Sequence, residues 1–100
     1  MIIVTGSLHA RSADVLPELL ALAREHVQRS RAEPGCLEHG VAVDADDALR
    51  LVFFERWADA AAIRAHFKAP ASREFVKRAG GLVDRAPEIA IYDASQLPSP

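Results

Sequence analysis

The segment that most constrains the fold of this 100-residue chain is the apolar run from Leu49 to Trp57. Alternate side chains of a strand point to opposite faces of a sheet, so Leu51 and Phe53 lie on one face. Val52 and Phe54 then lie on the other face. A small antiparallel sheet usually buries one face and exposes the other to water, but both faces of this strand are apolar. We expect helices to cover one face and the sheet of a second copy to cover the other.

The composition is that of one globular domain, because 50% of the residues are hydrophobic and 26% are charged. The net charge of −2, with both signs interspersed, argues against a nucleic-acid partner. The first six residues lack the features of a signal peptide, and no apolar run approaches the ~20 residues that span a bilayer. We therefore expect a cytoplasmic domain over residues 1–95, a tail over residues 96–100, no membrane partner, and a reduced thiol at the single Cys36.

The remaining hydrophobic periodicities predict an α+β protein in the order β-α-β-β-α-β, with the second helix broken in two. This is the ferredoxin-like order, and it implies an antiparallel sheet. The predicted elements are a strand from Ile2 to Leu8, a helix capped by Asp14 and reaching about Ala32, strands Cys36–Val43 and Leu49–Trp57 joined by a polar turn, a helix capped by Asp59 and reaching about Ala69, a helical segment from Ser72 to Gly80, and a strand from Pro87 to Ala94.

Three of the four histidines carry no clear functional signal in the sequence. His39 lies among apolar residues of the second strand and His9 ends the first strand, so each either approaches a pocket or is satisfied structurally. His26 is expected to face solvent from the long helix. The four histidines lack metal-ligand spacing in the sequence, and no cysteine pair indicates zinc, so we predict no metal.

Three segments in this order resemble the antibiotic biosynthesis monooxygenase (ABM) domain, which includes small quinol monooxygenases. They are Glu33-Pro34-Gly35-Cys36-Leu37, Phe54-Glu55-Arg56-Trp57 and His66-Phe67, and the similarity extends to the closing strand. The resemblance implies a dimeric α+β barrel, a homodimer in which two ferredoxin-like subunits pack sheet to sheet. It also implies oxygenation of a quinol or anthrone by dioxygen without flavin, metal or other cofactor.

Some members of the family bind and degrade haem, using an asparagine on the first strand. The chain contains no asparagine, and Ser7 and His9 occupy the candidate positions, which argues against haem degradation.

His66 is the main candidate for catalysis, because imidazole titrates near neutral pH and can take a proton from a phenol or an activated carbon. The alternative is a structural histidine that only hydrogen-bonds the backbone. Trp57 is the second catalytic candidate, since its indole N–H can donate to a substrate oxygen. The alternative for Trp57 is a strand-end side chain that closes the core.

Six further residues are predicted to bind the substrate. Glu55 is among them, although a charged group on a largely apolar face needs a partner, and a structural ion pair is favoured over general-base catalysis. The predicted substrate-binding residues are Leu51, Phe53, Glu55, Phe67, Phe75 and His39.

The resemblance favours a cofactor-independent monooxygenase that oxidises a quinol- or anthrone-type aromatic. Two alternatives stay open. One is a non-catalytic dimeric module that binds a small apolar ligand. The other is a haem-binding relative with His66 or His39 as axial ligand.

Overall fold

A computed structural model describes residues 1–100 as a four-stranded antiparallel sheet with three helices on one of its faces. The strand order in the sheet is β2-β3-β1-β4, which confirms the predicted ferredoxin-like α+β fold. None of the three helices is long and apolar enough to cross a membrane. The elements are β1 (Ile2–His9), α1 (Leu16–Arg31), β2 (Cys36–Val43), β3 (Arg50–Trp57), α2 (Ala60–Lys68), α3 (Pro70–Gly80) and β4 (Glu88–Asp93).

The two predicted helix caps have different outcomes. Asp59 caps α2 as expected, since its side-chain oxygen accepts a hydrogen bond from the backbone N–H of Ala62 at 2.9 Å. The prediction for Asp14 is wrong, because Val15 occupies the cap position of α1 and no side chain caps that end. Asp14 lies one residue too early, and a capping side chain must stand at the cap itself to reach the free N–H groups of the first turn.

Pro70 separates α2 from α3 and also begins α3. Proline disfavours helical geometry in the residue before it, and Ala69 is indeed extended, with φ −60° and ψ 133°. Proline is well suited to the first turn of a helix, because its missing N–H would have no partner there. The third helix therefore starts two residues before the predicted Ser72.

The core lies between the helices and one face of the sheet. Leu51 of β3 and both Leu19 and Ala23 of α1 are completely buried there, and Leu8 of β1 is nearly so. As predicted, alternate apolar side chains of β3 point to opposite faces of the sheet. Leu51 lies in the core, whereas Phe54 is exposed on the face that no helix covers.

The register of β3 places the site residues. Glu55 pairs with Val4 of β1 on one side and with His39 of β2 on the other. An irregularity in β2 between Cys36 and Glu38 shifts the pairing next to Trp57. His39, Glu55 and Trp57 are all buried, which brings two polar side chains and an indole into the core at one end of the central strand.

Candidate functional site

A cavity of about 540 Å³ lies between the helix-facing side of β1 and β4 and the helices α2 and α3. Val4 and Ile89 line it from the sheet, and Phe67 and Val76 line it from the helices. Clefts of this volume accommodate small organic molecules, and a mostly apolar wall with a few polar groups is typical of such sites. The polar groups in this wall include His26, Glu55 and His66.

The prediction that His26 faces solvent is wrong, since only 6% of this side chain is exposed. His26 follows Leu19 by seven residues and Ala23 by three, so helical periodicity places it on the buried stripe of α1. Its ring stacks on Phe75 of α3, with centroids 4.3 Å apart and planes 9° from parallel. Burial, followed by repulsion from His66 and His39, lowers the pKa of His26 to about 3, so its ring is neutral at pH 7.

The fold brings three buried imidazoles together from three different elements. His26 comes from α1, His39 from β2 and His66 from α2. Their ring centroids are 5.3 Å apart for His26 and His39, 5.2 Å for His26 and His66, and 5.5 Å for His39 and His66. We call these three residues the histidine cluster. Distances of 13 and 27 residues along the chain separate its members, and for this reason the spacing in the sequence gives no sign of the cluster.

Glu55 provides a buried carboxylate beside this cluster. Its Oε1 atom accepts a hydrogen bond from the indole N–H of Trp57 at 2.9 Å. The same oxygen lies 3.3 Å from Nε2 of His39, without hydrogen-bond alignment, and 3.9 Å from Nε2 of His66. Burial by itself would raise the pKa of Glu55, but the contacts with His39, Trp57 and His66 outweigh burial and hold the pKa below its ordinary value. The partners that Glu55 requires therefore come from its own chain.

Glu33 holds His66 from the other side of the ring. The Oε2 atom of Glu33 lies 2.9 Å from Nδ1 of His66, although the two residues are 33 positions apart. Glu33 is placed by the turn before β2, where Gly35 has a φ of 82°. Because Nδ1–H donates to the carboxylate, we assign the lone pair of the neutral ring to Nε2. A histidine oriented in this way is prepared to accept a proton.

The predicted site residues fall into two groups. Phe53, Glu55, His66 and Phe67 line the cavity. The others lie behind its wall: Leu51 packs in the core, Phe75 stacks on His26, and His39 and Trp57 are buried in contact with Glu55. The indole N–H of Trp57 is already bonded to Glu55, so within this structure its donor serves that carboxylate.

Sequence reasoning missed Glu33 and His26 as members of the site. Helical periodicity carried a usable signal for His26, as described above. Glu33 belongs to the segment that carries the family resemblance, but nothing in its local pattern indicates contact with a side chain on α2.

Comparison with known proteins identifies the family. Residues 1–78 match the family model described as antibiotic biosynthesis monooxygenase. The chain is 33% identical over 95 residues to the uncharacterized protein sll1783 of Synechocystis sp. (strain PCC 6803). The aligned region covers 95% of this chain and 64% of that relative. The chain thus spans slightly less than two thirds of the length of this relative.

Solved structures agree with the family match. The fold superposes on a crystal structure of an antibiotic biosynthesis monooxygenase with a TM-score of 0.87 and 27% identity, over 96% of this chain and 100% of the other. It superposes on Rv0793 from Mycobacterium tuberculosis with a TM-score of 0.88 and 26% identity, over 98% of each chain. The resemblance carried by the three sequence segments is confirmed, and the chain belongs to the antibiotic biosynthesis monooxygenase family.

Proposed function

We propose that the protein oxygenates an electron-rich aromatic substrate, a quinol or an anthrone, using dioxygen and no flavin or metal. The observation that carries this proposal is the Glu33–His66 pair, 2.9 Å apart, at the wall of an apolar cavity. His66 acts as the general base through Nε2. Glu33 fixes the ring and stabilises the imidazolium that forms.

The reaction requires no external reductant, because the substrate supplies every electron. His66 removes a proton from the phenol or the activated carbon, and the resulting anion transfers one electron to dioxygen. The substrate radical and superoxide then combine, which forms a C–O bond and gives a substrate peroxide anion. Reprotonation by His66, cleavage of the O–O bond and loss of a second proton from the same carbon release water and leave a carbonyl. One oxygen atom enters the product and the other leaves in water.

The cavity supports this chemistry in two ways. Apolar walls from Val4, Phe53, Phe67 and Ile89 make the surroundings of the reacting centre less polar than water, which strengthens electrostatic interactions there. The carboxylate of Glu55, 3.9 Å from Nε2 of His66, adds a negative charge beside the atom that becomes protonated. A positive ring between two carboxylates is more stable than the same ring in an apolar wall.

We also propose that the active form is a homodimer joined through the uncovered sheet face. This face carries Ile3 and Phe54 together with Tyr92 of β4, and no helix packs on it. Exposed apolar side chains on a sheet face that no helix covers are typical of an interface between subunits. We further propose a cytoplasmic location, where the thiol of the single Cys36 would remain reduced.

Oxygen consumption by the metal-stripped protein over a panel of quinols and anthrones tests the reaction. We expect uptake above the autoxidation blank, one dioxygen per substrate, no accumulation of hydrogen peroxide, and one atom of ¹⁸O from labelled dioxygen in the product. His66→Ala should lower the rate by about 10²-fold or more. His9→Ala is the matched control, because His9 lies on the opposite side of the sheet, where it contacts Glu88.

Two results would contradict the proposal. Equal oxygen uptake by His66→Ala and the wild type would show that His66 is not the base. No uptake across the panel, with saturable binding of the same aromatics, favours the non-catalytic ligand-binding module.

A further inference from the structure

We propose that His26, His39 and His66 form a binding site for one divalent first-row transition metal ion of the zinc class. One ring nitrogen from each residue can be chosen so that all three lie within 4.8 Å of one another. All three side chains are buried, at 6%, 2% and 3% exposure. The inference goes beyond the proposed oxygenation and is tested without substrate or oxygen.

The spacing of the rings matches metal coordination by imidazole. Three imidazoles bound tetrahedrally at about 2.0–2.1 Å would have ring centroids roughly 5.2 Å apart. The centroids in the cluster are 5.2, 5.3 and 5.5 Å apart. The rings therefore already stand at the separation that coordination requires, and the nitrogens, which lie within 4.8 Å of one another, would have to turn towards a common centre.

His39 provides an independent indication of a ligand. Both of its ring nitrogens are buried; Nδ1 has no polar partner, and Nε2 lies 3.3 Å from Oε1 of Glu55 but outside hydrogen-bond alignment. Burying a polar atom without a partner is unfavourable, so each such atom in a native structure calls for an explanation such as a bound ion. A metal ion at the cluster would satisfy one of the two nitrogens.

The surroundings of the cluster also fit a metal site. Metal-bound histidines usually donate their second ring N–H to a carboxylate, and His66 makes this contact with Glu33. Glu55 adds a second carboxylate whose Oε1 lies 3.3 Å from His39 and 3.9 Å from His66. His26 and His66 line the cavity, which offers an entry path.

Three nitrogen donors select the class of ion. Imidazole favours zinc, copper, nickel and iron, whereas magnesium and calcium require oxygen ligands. A bound ion would occupy Nε2 of His66 when Nδ1 remains bonded to Glu33. The ion and the substrate proton therefore compete for one atom, and metal uptake should inhibit oxygenation reversibly.

The test uses protein without a histidine tag, stripped with a chelator and titrated with Co²⁺ while the visible spectrum is recorded. We expect one ion per chain and the intense absorption of four-coordinate cobalt, which Zn²⁺ should abolish by displacing it. His26→Ala, His39→Gln and His66→Ala should each weaken binding by roughly 100-fold or more, and Glu33→Gln by roughly 10–100-fold. His9→Ala should bind like the wild type, and far-UV circular dichroism should verify that each variant is folded.

Nitrogen-detected NMR of the histidine side chains in the wild type gives a second measurement that needs no variant. Zn²⁺ should shift the ring signals of His26, His39 and His66 and leave those of His9 unchanged. The proposal is overturned if the protein takes up no ion, if folded cluster variants bind as tightly as the wild type, or if the His9 signals shift and the cluster signals do not.

Discussion

The indole N–H of Trp57 donates a hydrogen bond of 2.9 Å to Glu55, two residues earlier on the same face of β3. Side chains at positions i and i+2 of a strand point to the same side, so this contact follows directly from the strand geometry. The bond orients a buried carboxylate towards His39 and His66. The end of β3 therefore links the core of the domain to the wall of the cavity.

Trp57→Phe should destabilise the protein, because it removes a donor from a carboxylate that is buried in the core. We expect the free energy of unfolding to fall by about 1–3 kcal/mol from the lost hydrogen bond, with a further loss from the smaller ring. Trp57 is the only tryptophan, so urea unfolding should be followed by far-UV circular dichroism. Leu97→Ala, at a position that is 80% exposed and outside the helices and strands, is the control. Equal stability of Trp57→Phe and the wild type would show that the bond contributes nothing.

Glu33→Gln should lower the oxygenation rate less than His66→Ala does. The amide oxygen of glutamine can still accept the Nδ1–H bond, which keeps the tautomer, but the negative charge that stabilises the imidazolium is lost. We expect kcat to fall by about 10-fold with KM nearly unchanged, since Glu33 contacts His66 and does not line the cavity. Glu38→Gln is the matched control, because Glu38 pairs with Arg56 on the opposite face of the sheet. A rise in KM with kcat unchanged would instead show that Glu33 contributes to substrate binding.

The fold was predictable from the sequence because each element carries a local signal. The alternation of Leu51 and Phe53 with Val52 and Phe54 predicted a strand with two apolar faces, and β3 has Leu51 in the core and Phe54 on the uncovered face. The predicted cap of α1, Asp14, was wrong by one residue, because an acceptor side chain near the start of a helix does not determine which residue becomes the cap.

The site was less predictable because it is built from contacts between distant elements. The carboxylate of Glu33 and the ring of His66 meet only once β2 and α2 have packed. His26 combines a polar side chain with a buried helical position, and polarity alone suggests the wrong face. Its burial becomes clear only when its three- and seven-residue spacings to Ala23 and Leu19 are considered.

Gly35→Ala should destabilise the turn that carries Glu33. Gly35 has a φ of 82°, a conformation that costs other residues roughly 1–2 kcal/mol. An added Cβ would also lie 2.6 Å from Cβ of Ala62, so α2 would have to shift. We expect a loss of at least about 1–2 kcal/mol in chemical unfolding, and a lower oxygenation rate because Glu33 moves relative to His66. Gly80→Ala, where an added Cβ meets nothing within 4 Å, should be neutral or stabilising. Similar results for the two variants would contradict this account of the turn.

Asp44→Asn should destabilise the protein at neutral pH and have little effect in acid. The backbone N–H of Asp46 and the guanidinium of Arg50 hold the pKa of Asp44 below its ordinary value of 3.8. A carboxyl group with a lowered folded-state pKa stabilises the protein above its unfolded pKa, and this contribution disappears as the pH falls through the folded-state value. The difference in Tm between Asp44→Asn and the wild type should therefore be constant above about pH 5 and shrink below pH 3.8. Asp46→Asn is the control. A difference in Tm between Asp44→Asn and the wild type that does not depend on pH would show that the charge of Asp44 does not cause the stabilisation.

Val52→Asp and Phe54→Asp test the proposed homodimer. Phe54 is 41% exposed on the uncovered sheet face, and in the dimer a new carboxylate there would be buried without a partner. Such a charge costs about 3–5 kcal/mol, which raises the dissociation constant by roughly 10²-fold or more. Light scattering coupled to size-exclusion chromatography should show twice the chain mass of 10.9 kDa for the wild type, and monomer or aggregate for both variants.

Val76→Asp is the matched control for the dimer, because Val76 is 63% exposed but lies on α3, in the helical layer. It should elute with the wild type, which would show that a charge on an exposed apolar position does not by itself dissociate the protein. A monomeric wild-type protein would mean that no surface joins two subunits. Val52→Asp and Phe54→Asp variants that are dimeric at the same protein concentration as the wild type would mean that another surface joins them. The two-sided apolar pattern of β3 would then reflect packing within one chain only.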